Sequence, residues 1–449
     1  MESLSRIGSL AEKFKDEDGL DTAERLVTEG QVLIGNAARS LIDTKRRPEG
    51  SLPSAVAVDA ARKMTRDCID FIGGPYIDGI EALGRTGKEN GRVDREAGRL
   101  IDALKDYGEA LDGIKVGKRF SPGADYISRV LGESYGEERN LDEIEEMGRE
   151  EFKKGIERLE ALGGSKGEWR DAYESYFPPN FFPDDLIGTY SYEVERIRGH
   201  LERSGVIDTR WAGGLSIDEV PHYLRSVRSA AAYSAPPPTG GDSVKRQGVF
   251  YIIPSLPGGG EGDVDELRKS HREFIFMTAH ETYPGHHLLD GVRTSLESQI
   301  RSRIESPLFY EGWACYSETL LLDSGYLRGT EHENGLFLQL LRRDAWRWAR
   351  LLIDIGLNRF EMTIDEASAL LEIVGRPKAR AAIEAFRIAM TPGYQLTYAL
   401  GKHEFLRLGD MCMGGLGAKG FHRNVLFGGE IPFRYVEDRL RAEMDKAQD

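Results

Sequence analysis

Three histidines and one glutamate lie in one eight-residue stretch of the chain, HETYPGHH at 280–287. His280 and Glu281 match the start of the pattern H-E-x-x-H, in which two histidines on a helix bind zinc and the glutamate acts as the general base. Here the position four residues after His280 is Pro284, and the next histidines follow at 286 and 287. These residue types favour metal-dependent hydrolysis, provided that the chain can accommodate the extra residues.

Pro284 determines how the chain passes through this stretch. Proline removes a backbone donor and disfavours helical geometry at the preceding residue, so we expect the helix to end and the chain to bulge before turning back at Gly285. If two residues are looped out, His286 takes the place of the second histidine and faces the same ion as His280. His287 is the competing ligand, because seven residues bring it to nearly the same face of a continuous helix as His280.

A third protein ligand is expected further along the chain, since a catalytic zinc takes three and keeps an open position for water. In YEGWACYSETLLL at 310–322, Glu311 and Glu318 are seven residues apart and share one face of a predicted helix. Carboxylates on an apolar, aromatic-rich helix are costly to bury unless they are paired or metal-bound. We therefore predict that Glu311 is the third ligand, against the alternative that both glutamates are solvated. Cys315, between them, is predicted to be a small buried hydrophobic residue.

Two tyrosines form a further candidate group. In TPGYQLTYALG at 391–401, Tyr394 and Tyr398 are four residues apart, which is one helical turn. A tyrosine beside a metal can donate a hydrogen bond to the oxyanion of a tetrahedral intermediate. The alternative is that both are amphipathic core residues, as tyrosines on helices often are.

The whole chain excludes several functions. Its 449 residues carry a formal charge of −15 and no basic stripe, so nucleic acid is not an expected partner. No segment approaches the roughly 18 apolar residues that span a bilayer, and the N-terminal residues lack a signal-peptide core. We therefore expect a cytoplasmic protein with no membrane partner. The three cysteines, Cys68, Cys315 and Cys412, lie far apart, which argues against a disulfide framework.

Helical periodicity dominates the sequence. The segment at 141–162 repeats apolar residues at helical spacing between charged ones, and the segments at 53–72 and 96–114 are similar. GVFYIIP at 248–254 is the clearest strand candidate, and it lies between Pro- and Gly-rich loops. We expect a mainly α protein with a small β element near the histidine cluster.

The three motifs, in this order, resemble those of the bacterial domain-of-unknown-function 885 family, whose usual forms are HEAxPGHH, EGWAxYxE and PGQALxYxxG. The resemblance covers a region at 115–449, whereas a helical N-terminal region at 1–114 matches poorly; both are expected to form one compact body. This family is in turn distantly similar to the carboxypeptidase Taq zinc peptidases, which carry H-E-x-G-H and G-Y-F-P-T-Y-x-L-G. The chain departs from those peptidases by the two-residue insertion before His286, and from the closer family by Tyr394 in place of its Gln-Ala.

The resemblance implies a gluzincin-like helical metallopeptidase fold with a deep cleft and a short strand beside the substrate. It implies a general base at Glu281 and an oxyanion donor at Tyr398 or Tyr394. The implied metal ligands are His280, His286 and Glu311, with supporting positions at Glu318 and His287. His287 also remains the alternative to His286 as the second histidine ligand. One Zn²⁺ per chain is expected, with Mn or Fe as alternatives.

Two arginines occur where the closer family also carries arginines, Arg350 and Arg387. Each can bind a carboxylate through two hydrogen bonds or can form a structural salt bridge instead. We therefore expect a zinc metallopeptidase that cleaves short peptides, with carboxypeptidase action favoured by the distant resemblance alone. The rival hypotheses are a metal-dependent ester or amide hydrolase acting on a non-peptide metabolite, and a non-catalytic, metal-stabilised helical binding protein.

Overall fold

The computed structural model describes residues 17–42, 53, 55–77, 87–117, 121–163, 167–220, 231–235, 247–253 and 264–448. Helices predominate among these residues, which confirms the mainly α prediction. The chain divides into two compact units, residues 1–120 with 220–229 and residues 121–219 with 230–449. All the candidate site residues belong to the second unit.

The first unit is helical where it is described. Its helices are α1 (Glu17–Ile42), α2 (Ala55–Phe71, followed by a π-helical turn at Ile72–Tyr76) and α3 (Gly87–Asp112). Apolar residues at helical spacing, such as Leu100 and Leu104 of α3, are fully buried against Val27 of α1. The Gln31 side chain of α1 also donates a hydrogen bond of 2.8 Å to the main-chain carbonyl of Glu96.

The second unit is built from helices around one buried core. In chain order its helices are α4 (Ala124–Arg129, followed by a π-helical turn at Val130–Tyr135), α5 (Leu141–Gly163), α6 (Glu168–Ser175), α7 (Leu186–Ser204), α8 (Val264–Ser270), α9 (Phe274–Glu281), α10 (His286–Ser295), α11 (Pro307–Asp323), α12 (Glu333–Arg359), α13 (Ile364–Ile373), α14 (Lys378–Met390), α15 (Leu396–Leu426) and α16 (Phe433–Gln448). Short 3₁₀ turns occur at Thr209–Trp211 and Arg301–Arg303. None of the described helices combines the length and the apolar character that crossing a bilayer requires.

A three-stranded sheet lies in the same unit. Its strands are β1 (Gly214–Glu219), β2 (Ala231–Ser234) and β3 (Gln247–Ile252), in the order β1-β3-β2. β1 runs parallel and β2 antiparallel to β3. Because β3 is the central strand, β2 lies at an edge of the sheet. β3 confirms the predicted strand. β1 was not predicted because its sequence, GLSIDE, is largely polar, and β2 was not predicted because it has only four residues in an alanine-rich stretch. Most of the predicted loops around β3 lie outside the described residues.

Candidate metal centre

Three side chains from three helices meet in the second unit. His280 ends α9, His286 begins α10 and Glu311 lies near the start of α11, and all three are buried. Glu311 Oε2 is 3.5 Å from Nε2 of His280 and 3.6 Å from Nε2 of His286. These distances exceed those of good hydrogen bonds. They are close to the roughly 3.3–3.5 Å that separates two ligands of a tetrahedral zinc with bonds of about 2.0–2.2 Å.

A bulge brings the two histidines together. α9 ends at Glu281 and α10 begins at His286, so residues 282–285 interrupt the helix as the proline predicted. A Cβ atom on Gly285 would lie 1.9 Å from the carbonyl oxygen of His280, so the chain can turn back here only with glycine. The ring centroids of His280 and His286 are 4.9 Å apart, which lets both imidazoles face one ion.

His287, the competing ligand, belongs to a different environment. Its Nδ1 atom lies 3.4 Å from the hydroxyl of Tyr233, and its ring packs edge-on against Tyr233 and Tyr283. Burial lowers the pKa of His287 to about 4, so the ring is neutral near pH 7. The structure therefore brings His286, and not His287, to His280.

Glu318 supports His280 from the side away from Glu311. It is fully buried, and its Oε1 atom is 2.9 Å from Nδ1 of His280. A carboxylate in this position fixes the orientation and tautomer of a metal-binding histidine. Arg343 and Arg347 of α12 donate to both oxygens of Glu318. Burial opposes ionisation of Glu318, but the two arginines hold its pKa well below the usual range.

The sequence did not predict these arginines, since neither belongs to a motif. Their only signal is that they lie one turn apart on α12, a helix that also carries other arginines.

Both predicted tyrosines reach Glu311. The hydroxyl of Tyr394 donates to Glu311 Oε1 over 2.6 Å, and that of Tyr398 donates to the same atom over 3.1 Å. Burial, and then the neighbouring carboxylate, raise the pKa of both hydroxyls, so they remain protonated donors. Burial also opposes ionisation of Glu311, but His280 and His286 hold its pKa well below the usual range. One oxygen of Glu311 is thus held by tyrosines, while the other faces the histidines.

A close crossing of α11 and α15 makes this contact possible. A Cβ atom on Gly312 would lie 2.5 Å from the Cα atom of Gly401, and one on Gly401 would lie 2.1 Å from the carbonyl oxygen of Leu308. Both glycines occur in the motifs, directly after Glu311 and three residues after Tyr398. Sequence reasoning assigned them no role, and the structure shows that they set the distance between the two helices.

Glu281 lies beside the cluster without belonging to it. It is the last residue of α9, and its Oε2 atom accepts a 2.8 Å hydrogen bond from the backbone N–H of Tyr233 in the edge strand β2. The small β element predicted near the histidines therefore contacts the candidate general base directly.

The two predicted arginines have different surroundings. The guanidinium of Arg350 lies between the rings of Trp346 and Tyr398, 4.5 Å and 4.4 Å from their centroids, and its side chain is 12% exposed. It also donates to the side-chain oxygen of Gln395. Arg387 lies on α14 with an exposed side chain. Of the two, the structure places Arg350 beside the tyrosines.

Comparison with known proteins identifies solved structures of similar fold. No curated protein is detectably similar to it in sequence. A solved structure from Colwellia psychrerythraea has a TM-score of 0.76 at 18% identity, covering 96% of this chain and 77% of its own. One from Shewanella oneidensis has a TM-score of 0.71 at 15% identity, covering 93% and 78%. Both proteins are described as a "putative lipoprotein", and at these identities the likeness concerns the fold alone.

The family model described as "Bacterial protein of unknown function (DUF885)" matches residues 10–440. The match includes most of the N-terminal region, whose relation to the family the three motifs did not indicate. Because it covers nearly the whole sequence, the chain belongs to the DUF885 family.

Proposed function

We propose that this protein is a zinc-dependent hydrolase of gluzincin-like fold that cleaves peptide bonds of short peptides, with a preference for the C-terminal bond. The observation that carries the proposal is the convergence of His280, His286 and Glu311, whose ligand atoms lie within 4.8 Å of one another. Two histidines and a glutamate form a ligand set of catalytic zinc in peptidases. Structural zinc sites take four protein ligands, whereas this group has three among the described residues.

The surrounding residues suit hydrolysis. A zinc ion held by this group would lower the pKa of a bound water to about 7 and polarise a substrate carbonyl. Glu281, next to His280 in the chain, would accept the proton of the attacking water and deliver it to the leaving amine. Tyr394 and Tyr398 are protonated donors beside Glu311, and either hydroxyl would stabilise the oxyanion by turning from Glu311 towards it.

Arg350 supports the C-terminal preference. Its Nε atom is buried and has no hydrogen-bond partner among the residues that the structure describes, and the nearest carboxylate oxygen, Glu384 Oε1, forms an ion pair with it at 3.9 Å. Its guanidinium lies 4.5 Å and 4.4 Å from the ring centroids of Trp346 and Tyr398, and a planar guanidinium matches the geometry of a carboxylate. A peptide with a free C-terminus would place that charge beside Tyr398 and its next peptide bond towards the histidines.

The experiment that tests the proposal combines metal analysis with a peptide panel. The purified protein should hold about one equivalent of zinc, and it should hydrolyse short free-acid peptides faster than amidated ones. Glu281→Gln is the control that should retain the metal without turnover. Metal content near zero would refute the metal centre. Turnover restricted to esters or non-peptide amides would assign the site to a different hydrolase.

A further inference from the structure

A buried carboxylate holds the turn that precedes α15. Asp354 of α12 is fully buried, and its Oδ1 and Oδ2 atoms accept the backbone N–H groups of Gly393 (3.0 Å) and Gln395 (2.9 Å). Asn358, one turn further along α12, donates its side-chain amide to Asp354 Oδ1 over 2.9 Å. Three N–H donors therefore converge on this carboxylate.

Two of these donors connect Asp354 to the candidate site, because they flank Tyr394 in the chain. Gly393 and Gln395 are the residues directly before and after Tyr394, so Asp354 holds the backbone on both sides of that tyrosine. Gly393 has a φ of +81°, a conformation that glycine adopts without strain. With the backbone fixed at both sides, the Tyr394 ring is directed to Glu311, which its hydroxyl reaches over 2.6 Å.

We propose that Asp354 is a positioning residue of the candidate centre. By anchoring the two peptide groups that flank Tyr394, it holds the Tyr394 hydroxyl on Glu311 and sets the start of the helix that carries Tyr398. Asp354 touches neither the ligand group nor the tyrosine rings. Its catalytic consequence rests on the proposed hydrolase function, whereas its effect on the tyrosines is a property of the protein without metal.

The groups around Asp354 act on its ionisation in opposite directions. The groups that face it are Arg350 on the same helix, Asn358, the two backbone amides, and Tyr135, whose hydroxyl lies 3.4 Å from the carbonyl of Gly393. Burial raises the pKa of Asp354 to about 7, although the amides, Arg350 and Asn358 favour the ionised form. A carboxyl whose pKa is higher in the folded than in the unfolded protein contributes most stability at low pH, and this contribution is lost as the pH rises towards 7.

Asp354→Asn is the decisive variant, because it keeps the size of the side chain but turns one acceptor into a donor that faces a backbone N–H. The protein is labelled with 3-fluorotyrosine, and its ¹⁹F signals are assigned with Tyr394→Phe and Tyr398→Phe. In metal-free protein we expect the signals of both tyrosines to move in Asp354→Asn towards their positions in Glu311→Gln. Unchanged tyrosine signals would overturn the proposal.

A matched control separates positioning from the loss of a buried charge. Glu193 is another fully buried carboxylate of the same unit, bonded to Tyr326. Glu193→Gln should leave the Tyr394 and Tyr398 signals unchanged, and equal shifts in both variants would overturn the proposal. If Asp354→Asn does not fold, Asn358→Ala serves instead, since it removes one donor from Asp354 and leaves the backbone donors Gly393 and Gln395 in place; it also removes the acceptor of the Ser121 hydroxyl. It should move the same two signals in the same direction but less far.

Kinetics test the catalytic consequence. With an active wild type, Asp354→Asn should lower kcat by about 100-fold with little change in KM, as expected when a catalytic group is displaced by about 1 Å. In Asn358→Ala kcat should fall in the same direction but less far, because only one of the three donors to Asp354 is lost. Wild-type kcat in Asp354→Asn would refute the positioning role. Shifted tyrosine signals in a protein without any hydrolase activity would refute only the proposed function.

Discussion

The indole N–H of Trp313 donates a 2.8 Å hydrogen bond to the main-chain carbonyl of Pro284. Trp313 is fully buried two residues after Glu311, and Pro284 lies in the bulge two residues before His286. The bond therefore ties the helix that carries the third candidate ligand to the bulge that sets the spacing of the histidines. It gives a physical reason why the EGWA and PGHH motifs occur in one protein.

Replacement of Trp313 by phenylalanine tests this link, because the ring volume is largely kept and the N–H is lost. The buried carbonyl of Pro284 would then lack its partner, which costs about 1–3 kcal/mol of unfolding free energy. We also expect zinc affinity to fall about 10-fold or more, as after removal of other groups that orient metal ligands. Chemical unfolding and zinc competition titrations measure the two effects. Trp169→Phe, a buried tryptophan on α6, is the control and should cost stability without weakening zinc binding.

The choice between the two adjacent histidines gives a second prediction. His286→Ala should remove most of the bound metal, since His286 Nε2 faces the same Glu311 oxygen as His280 Nε2. His287→Ala should leave the metal content near one equivalent, because His287 packs against Tyr233 instead. Metal analysis after dialysis against a weak chelator distinguishes them. The reverse pattern of metal loss would show that the bulge positions the ligands differently.

A third prediction concerns the candidate general base. Glu281→Gln should retain metal and fold, because Glu281 does not belong to the ligand group and glutamine can still accept the N–H of Tyr233. It should lose activity by about 100-fold to 10,000-fold, the usual contribution of general acid–base catalysis. Steady-state hydrolysis with equal metal loading is the measurement. A rate near that of the wild type would exclude Glu281 as the base.

The helix crossing at Gly312 gives a fourth prediction. Gly312→Ala forces a methyl group against the backbone at Gly401, which should cost about 1–3 kcal/mol and move α15 away from Glu311. The control is Gly414→Ala on α15, the helix that carries Gly401. A Cβ atom at Gly414 meets no atom within 4 Å, and the variant should stabilise the protein by about 0.5–1 kcal/mol. Unfolding free energies and the ¹⁹F signals of Tyr394 and Tyr398 report both effects. Equal stability changes in the two variants would contradict the close crossing.

Part of this arrangement could be predicted because it depends on local covalent chemistry. The backbone restrictions of Pro284 and the freedom of Gly285 are properties of single residues, so the end of α9 and the return at His286 followed from the sequence. The burial of Cys315 and the strand at Phe250 likewise followed from composition and pattern, and the structure confirms both.

The rest depends on packing between distant segments. Arg343 and Asp354 are charged residues of α12, and nothing near them in sequence indicates that their partners are Glu318 and a turn at 393–395. Their roles become visible only when α12 is placed against α11 and α15. Packing also separates the two arginines that were predicted to bind a carboxylate: Arg350 is largely buried, whereas Arg387 has an exposed side chain.

The difference between the two arginines leads to the last prediction, on substrate choice. A free C-terminal carboxylate would form charge-assisted hydrogen bonds with the guanidinium of Arg350, worth about 1.5–3 kcal/mol, or about 10- to 100-fold in kcat/KM. An amidated peptide lacks that charge, so the wild type should prefer the acid by about this factor. Arg350→Lys keeps a positive charge but loses the planar fork, and it should reduce the preference strongly.

Arg387→Lys is the matched comparison and should keep the wild-type preference, because the Arg387 side chain is exposed on α14. The measurement is the ratio of kcat/KM for one peptide as acid and as amide in all three proteins, at equal metal content. Equal rates on acid and amide in the wild type would remove the C-terminal preference and leave aminopeptidase or endopeptidase action. A preference that survives Arg350→Lys but is lost in Arg387→Lys would assign carboxylate recognition to α14, since both variants keep the charge and differ only in the position of the lost guanidinium.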